Sequence, residues 1–253
     1  MSAAVNRTQV KEAPMRRPIF WLFTAMTLIF ASPADAKPRG RQSVSSGPPD
    51  ISGVWFMHGK LLPSLIPLDS VPFLPAGAER YKASKLEVDP ELHCFPSGVP
   101  RVLVIPAPFE IIPVSGRVLI YYEYQHLLRQ IHMNRATHPP DLIPTWMGDS
   151  IGKWEGDTLV VDTVGFVDKS RLDIAGLPHS DALHVVERIR RPSHDVLQAD
   201  ITVDDPKMYS KPLTAQRIFD FKPGWEIGEW VCEENNAYLK FSDEPPGQNA
   251  PTK

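Results

Sequence analysis

The amino-acid sequence predicts a mainly β protein, an antiparallel barrel of the lipocalin-like kind with one short helix and long loops. Three observations carry that expectation. From residue 109 onward, apolar residues recur at every second position in segment after segment. Glycine-containing turns and proline-broken loops separate these segments closely. Long runs of helical spacing are missing, and about nine short strands with close connections suit a barrel or sandwich.

The elements follow in order. Ser52 to Met57 reads as a first strand, followed by a proline-rich crossing from Leu62 to Pro75. Ala76 to Lys85 is rich in helix formers, with Pro75 suited to its start. Phe109 to Val114, Val118 to Tyr124 and Leu127 to Met133 read as strands, the first two split by a tight turn at Ser115-Gly116. Thr137 to Pro144 is a proline-broken loop. Ser150 to Trp154 and Thr158 to Phe166 flank Glu155-Gly156-Asp157, the clearest hairpin in the chain. Leu183 to Arg190, Val196 to Val203, Gln216 to Phe221 and Glu226 to Cys232 complete the set of strands.

The first 36 residues read as an export signal rather than as part of the fold. Arg16 and Arg17 give a positive start, Ile19 to Phe30 an uncharged apolar run, and Ala34-Asp35-Ala36 a small-x-small cleavage pattern. The run is too short to cross a bilayer of roughly 30 Å as a helix. The expected organisation is a signal over 1–36, a flexible leader over 37–49, a single β-rich domain over 50–244 and a flexible tail over 245–253. A periplasmic or secreted protein follows, with no membrane anchor after cleavage. The near-neutral mature chain carries no basic patch for nucleic acid. Nothing in the sequence points to an oligomeric state.

The two cysteines, Cys94 and Cys232, both survive cleavage. An even count in an oxidising compartment predicts a disulfide. Such a long loop closure is worth about 5 kcal/mol in the chain-entropy model.

Gly53-Val54-Trp55 in the first strand resembles the Gly-x-Trp signature of lipocalins and related small barrels. The resemblance implies an arginine packed on that tryptophan, and Arg188 is placed to do so. A longer likeness runs through Cys94-x-Pro96-x-Gly98-x-Pro100-Arg101, the block from Gly148 to Thr163, Glu187-Arg188 and Asp204-Asp205-Pro206. These segments resemble a widespread family of exported, mostly uncharacterised bacterial proteins. Some members are associated with lyase steps on lignin-derived aromatic dimers, including formaldehyde release. The resemblance assigns no residue to that chemistry.

Candidate chemistry comes from polar residues on otherwise apolar strand faces. Leu183, Val185, Glu187 and Ile189 share a face, as do Leu127, Arg129, Ile131 and Met133. Glu187 and Arg129 interrupt them, either as a structural ion pair or as general base and anion clamp. Asp162 interrupts the stripe of Val160 and Val164, either catalytically or as a cap for the turn at Gly165. His132 falls opposite Arg129. His138 and His179 are loop histidines that could join Asp149 at the barrel mouth, as acid-base groups or, less in keeping with their spacing, around a zinc ion. Tyr122, Trp146, Trp154 and Arg101 are candidate substrate contacts. No phosphate loop, nucleophile elbow or Cys-x-x-Cys is found.

These features lead to a cofactor-independent enzyme of lyase, dehydratase or isomerase type, acting on an apolar, aromatic small molecule in a barrel cavity. The alternatives are a lipocalin-like carrier of an apolar ligand and a zinc-dependent hydrolase.

Overall fold

The computed structural model describes residues 47–84 and 88–232. The expected export signal, most of the leader and the tail lie outside the described residues.

Nine strands close into one barrel in chain order. They are β1 (Gly53–Met57), β2 (Phe109–Val114), β3 (Arg117–Tyr122), β4 (Leu128–His132), β5 (Asp149–Glu155), β6 (Thr158–Val164), β7 (His184–Ser193), β8 (Val196–Asp204) and β9 (Leu213–Phe221). Closure comes from β1, which pairs antiparallel with both β2 and β9. The helix α1 spans Pro75–Ala83 with proline at its start, as its composition predicts. The barrel is mainly β and of the expected lipocalin-like kind.

One pairing departs from the antiparallel rule. Strands β4 and β5 run parallel, joined only at Ile131–Ser150 and His132–Ile151. Parallel neighbours cannot be linked by a hairpin. The segment 133–148 therefore returns outside the barrel, where Thr145 bridges to Phe166 just past β6. By contrast, β5 and β6 meet through a tight turn at Gly156, whose φ of 64° suits glycine.

The expected strand at Glu226–Cys232 is irregular instead. The β1–β9 pairing leaves no sheet edge for it to join. The segment is held by the Cys94–Cys232 disulfide and by Trp230, whose ring packs 4.8 Å from that of Tyr124.

Inward residues alternate as the pattern predicts. Trp55, Ile111, Ile120, Ile131, Leu159 and Val185 are all buried in one core. At one end the strands are joined by short turns. At the other, the described residues of the connections 58–84, 88–108, 165–183 and 205–212 form a cap, in which Val104, Leu172 and Leu177 extend the same core. The tryptophan of Gly-x-Trp is packed by Arg191, not Arg188. The Arg191 guanidinium lies 4.9 Å from the Trp55 ring and 4.8 Å from that of Phe221. Positions 185, 187, 189 and 191 share the inward rhythm, so Arg188 faces out and pairs with Glu155 at 3.0 Å. Gly53 is required here, because a Cβ would sit 2.6 Å from the Phe221 ring.

Candidate functional site

The chemistry-bearing residues fall into three groups, inside the barrel, in its cap and on its outer wall.

Inside, Arg129 from β4 and Glu187 from β7 form a two-pronged ion pair, with both side chains essentially inaccessible to solvent. Arg129 Nη1 donates to Glu187 Oε1 at 3.0 Å, and Nη2 donates to Oε2. Two further N–H groups reach Thr163 Oγ1 at 2.9 Å and Ser150 Oγ at 3.1 Å. Burial opposes the charge on Arg129, but Glu187 outweighs it and holds the guanidinium above its ordinary value. Tyr122 lies close enough to feel both charges. Burial pushes its hydroxyl up to about 12, and the hydroxyl has no aligned partner among the described residues. Each charge thus finds its partner within the protein, as a buried ion needs.

The cap holds Arg101 and His179. Arg101 donates to both oxygens of Asp89 at 2.9 and 2.8 Å, and it also pairs with Glu91. Arg171 reaches the same Asp89 at 3.0 Å. Burial raises the Glu91 carboxyl above the usual range. His179 is buried rather than solvated. Its Nε2 meets Ser170 Oγ at 2.8 Å, while Nδ1 donates to the Ser180 carbonyl at 2.9 Å. Burial lowers its proton affinity. Neither residue is brought to a cleft with the other candidates.

On the outer wall, register rather than sequence proximity builds a cluster. Asp149 and Asp162 lie on neighbouring strands, and β7 adds His184 beside them. Asp162 with Val160 and Val164 thus faces outward, under the returning 133–148 segment, rather than into the barrel. The His138 ring, carried by that segment, sits between the two carboxylates. Its Nδ1 lies 2.7 Å from Asp149 Oδ1, and its Nε2 lies 3.0 Å from Asp162 Oδ1. His184 Nε2 meets the other Asp162 oxygen at 3.0 Å, and Arg135 donates to Asp149 at 3.1 Å. Burial opposes ionisation of Asp162, yet the bonds to His138 and His184 prevail and hold its carboxyl below the usual value. The expected cap at Gly165 does not form; the carboxylate serves the two histidines instead.

Asp149 also borders a cleft of about 420 Å³ along the short β4–β5 seam, together with Leu128, Gln130, His132, Thr145 and Met147. The His132 ring makes no hydrogen bond with another described residue. Burial, helped by Arg135, lowers its proton affinity, so it carries a neutral, basic nitrogen at neutral pH. His132 falls outside the expected site, although its outward position at the end of β4 is legible from the two-residue rhythm.

The expected aromatic contacts are scattered. Tyr122 is interior, and Trp146 stacks on Phe95 at 5.2 Å at the surface. Trp154 lines a second, apolar pocket at the turn end. His138, Asp149 and Asp162 come together, whereas His179 does not join them. Among the described residues, no group of three or more His, Cys, Asp or Glu is arranged to hold a metal ion. No described helix is long and apolar enough to cross a membrane. The disulfide is compatible with an oxidising compartment. No protein-family model matches the chain, and no curated protein matches it either.

Proposed function

We propose that this chain is an exported, periplasmic or secreted acid-base enzyme that works without a cofactor, of lyase, dehydratase or isomerase type. Its substrate is a small aromatic molecule bearing polar groups. The reading rests on one observation. An imidazole with no hydrogen-bond partner among the described residues, His132, shares a cleft with Asp149, a carboxylate fixed from behind by a chain of charged partners. His132 takes a proton from the substrate as general base and returns it as acid in a later step. Asp149 stabilises the imidazolium formed in between, and His138, Asp162 and His184 hold Asp149 in position. Leu128 and Met147 offer apolar contact, while Gln130 and Thr145 suit hydroxyl or ether oxygens. The likeness to exported proteins associated with lignin-derived aromatic dimers supports the same substrate class and a formaldehyde-releasing step.

A carrier of the expected kind is less well supported. Phe109 packs against Tyr122 and Phe219 at 5.6 and 5.0 Å where an internal ligand would lie. A zinc hydrolase has no converging ligand set among the described residues, with His179 in the cap.

The test is turnover of a panel of lignin-derived aromatic dimers, with released formaldehyde and the second product quantified. His132→Gln is expected to lower kcat by about a hundredfold or more, with an unchanged melting temperature. Wild-type turnover in His132→Gln, or inertness of the wild type toward the whole panel, overturns the reading.

A further inference from the structure

A second cavity lies at the turn-joined end of the barrel. It encloses about 560 Å³, a volume suited to a ligand of one or two rings. Its floor includes Ile51 and Val118, both buried in the barrel core, with Met133 and Trp154 packed against that core. Pro48, Pro49 and Pro113 border it, and Val114 exposes 44% of its surface there. Rigid proline rings and an indole form flat apolar walls that favour a planar ring without ordering flexible side chains.

The charged groups around this pocket are unevenly committed. Asp50, the acid in the lining, turns to Ser52, taking its N–H at 2.9 Å and its hydroxyl at 2.6 Å. Those bonds hold its carboxyl below the usual value. Lys153 pairs with Glu155 at 2.8 Å, but both side chains are well exposed, and such pairs exchange readily. Arg117 donates to the neutral Gln130 amide at 2.7 Å and has no carboxylate within ion-pair distance among the described residues. A guanidinium with an uncommitted charge at the lip of an apolar slot suits a carboxylate on an apolar body.

We infer that this pocket is a binding site for a small aromatic carboxylate, its ring on Trp154 and the prolines and its acid group on Arg117 and Lys153. The site adjoins the β4–β5 cleft without sharing its lining, since Arg117 is the register partner of His132 and bonds Gln130; on the proposed function it recruits an acidic ligand beside that cleft.

Calorimetric titration of the full mature chain with 1-naphthoate and with uncharged 1-naphthalenemethanol tests it. Saturable binding of naphthoate is expected, with the alcohol weaker by about tenfold, the value of one good charged contact. Arg117→Gln should reduce naphthoate to the affinity of the alcohol and leave the alcohol unchanged. Trp154→Leu should weaken both, its fold being checked by circular dichroism. His132→Gln should alter neither, which separates this site from the proposed catalytic cleft. No saturable heat with naphthoate up to about 1 mM overturns the inference. So does unchanged naphthoate affinity in both Arg117→Gln and Trp154→Leu.

Discussion

The Arg129–Glu187 pair, which spans the barrel interior from β4 to β7, and the His138–Asp162 cluster are both charged constellations assembled from distant parts of the chain, yet water separates them. The first is sealed inside the barrel, where each ion's partners are fixed protein groups. The second lies on the outer wall, with Asp162 and His184 each about 40% exposed. A dry pair is held by desolvation, because parting the charges leaves one stranded. A wet cluster is held weakly and exchanges protons with solvent. Burial and charge alone would have nominated the interior pair for catalysis. The proposed function instead uses the outer wall, where water reaches the groups.

The comparison is broken most directly from the inside. Glu187→Gln leaves a buried guanidinium without its counter-ion and is expected to cost about 3–5 kcal/mol in urea unfolding. Replacing both ions, as Arg129→Met with Glu187→Leu, should recover most of that loss, since neither charge is then stranded. A Glu187→Gln protein of wild-type stability but without turnover would return the chemistry to the interior.

Acid sharpens the same contrast. Burial and Arg135 lower the proton affinity of His132 in the fold, so below its ordinary value of 6.5 the unfolded chain takes up the proton first. Stability therefore falls as pH falls from 6.5 toward the depressed folded value. The buried His179, whose proton affinity burial also lowers, adds to that slope. Asp162 acts lower: its contribution is complete above the ordinary aspartate value and is lost as pH falls through its depressed one. Arg129, held above its ordinary value, adds nothing in this range. Urea midpoints measured from about pH 8 to about pH 4 should show a decline below 6.5 that is shallower in His132→Gln. The acid limb of kcat/KM should likewise lie below 6.5 in the wild type. An equally steep decline in the variant would show that His132 is not depressed.

The barrel was legible because its signal is local. The two-residue rhythm places Glu187 and Arg129 inside and His132 outside; the expectation of Arg188 on the tryptophan did not follow that rhythm, and Arg191 packs there instead. It cannot tell which face of β6 is interior, since Thr158, Leu159, Val160 and Val161 are buried in succession on both faces of the strand. Asp162 was placed on the wrong side for that reason. Nor does it show that β1 and β9 close the sheet, which leaves Glu226 to Cys232 without an edge to join. The outer cluster needed long-range register: His138, Asp149, Asp162 and His184 meet only because β4 and β5 run parallel and the chain must return outside. His179 was obscured similarly, since its burial depends on a cap assembled from three separate connections.

The smallest structural effect carries the sharpest functional one. Asp162→Asn removes a charge that is partly solvated and shared between two histidines. Its stability cost should stay under about 1 kcal/mol in urea unfolding. Asp162 does not border the cleft, so in the proposed mechanism it is a positioning residue, through His138 on Asp149. Its loss should lower kcat by about tenfold, leave KM nearly unchanged and shift the acid limb of the rate profile. Asp162→Glu should restore part of the rate by returning the charge. A stability loss as large as that of Glu187→Gln, with kcat intact, would make the cluster a clamp for the returning segment rather than part of an active site.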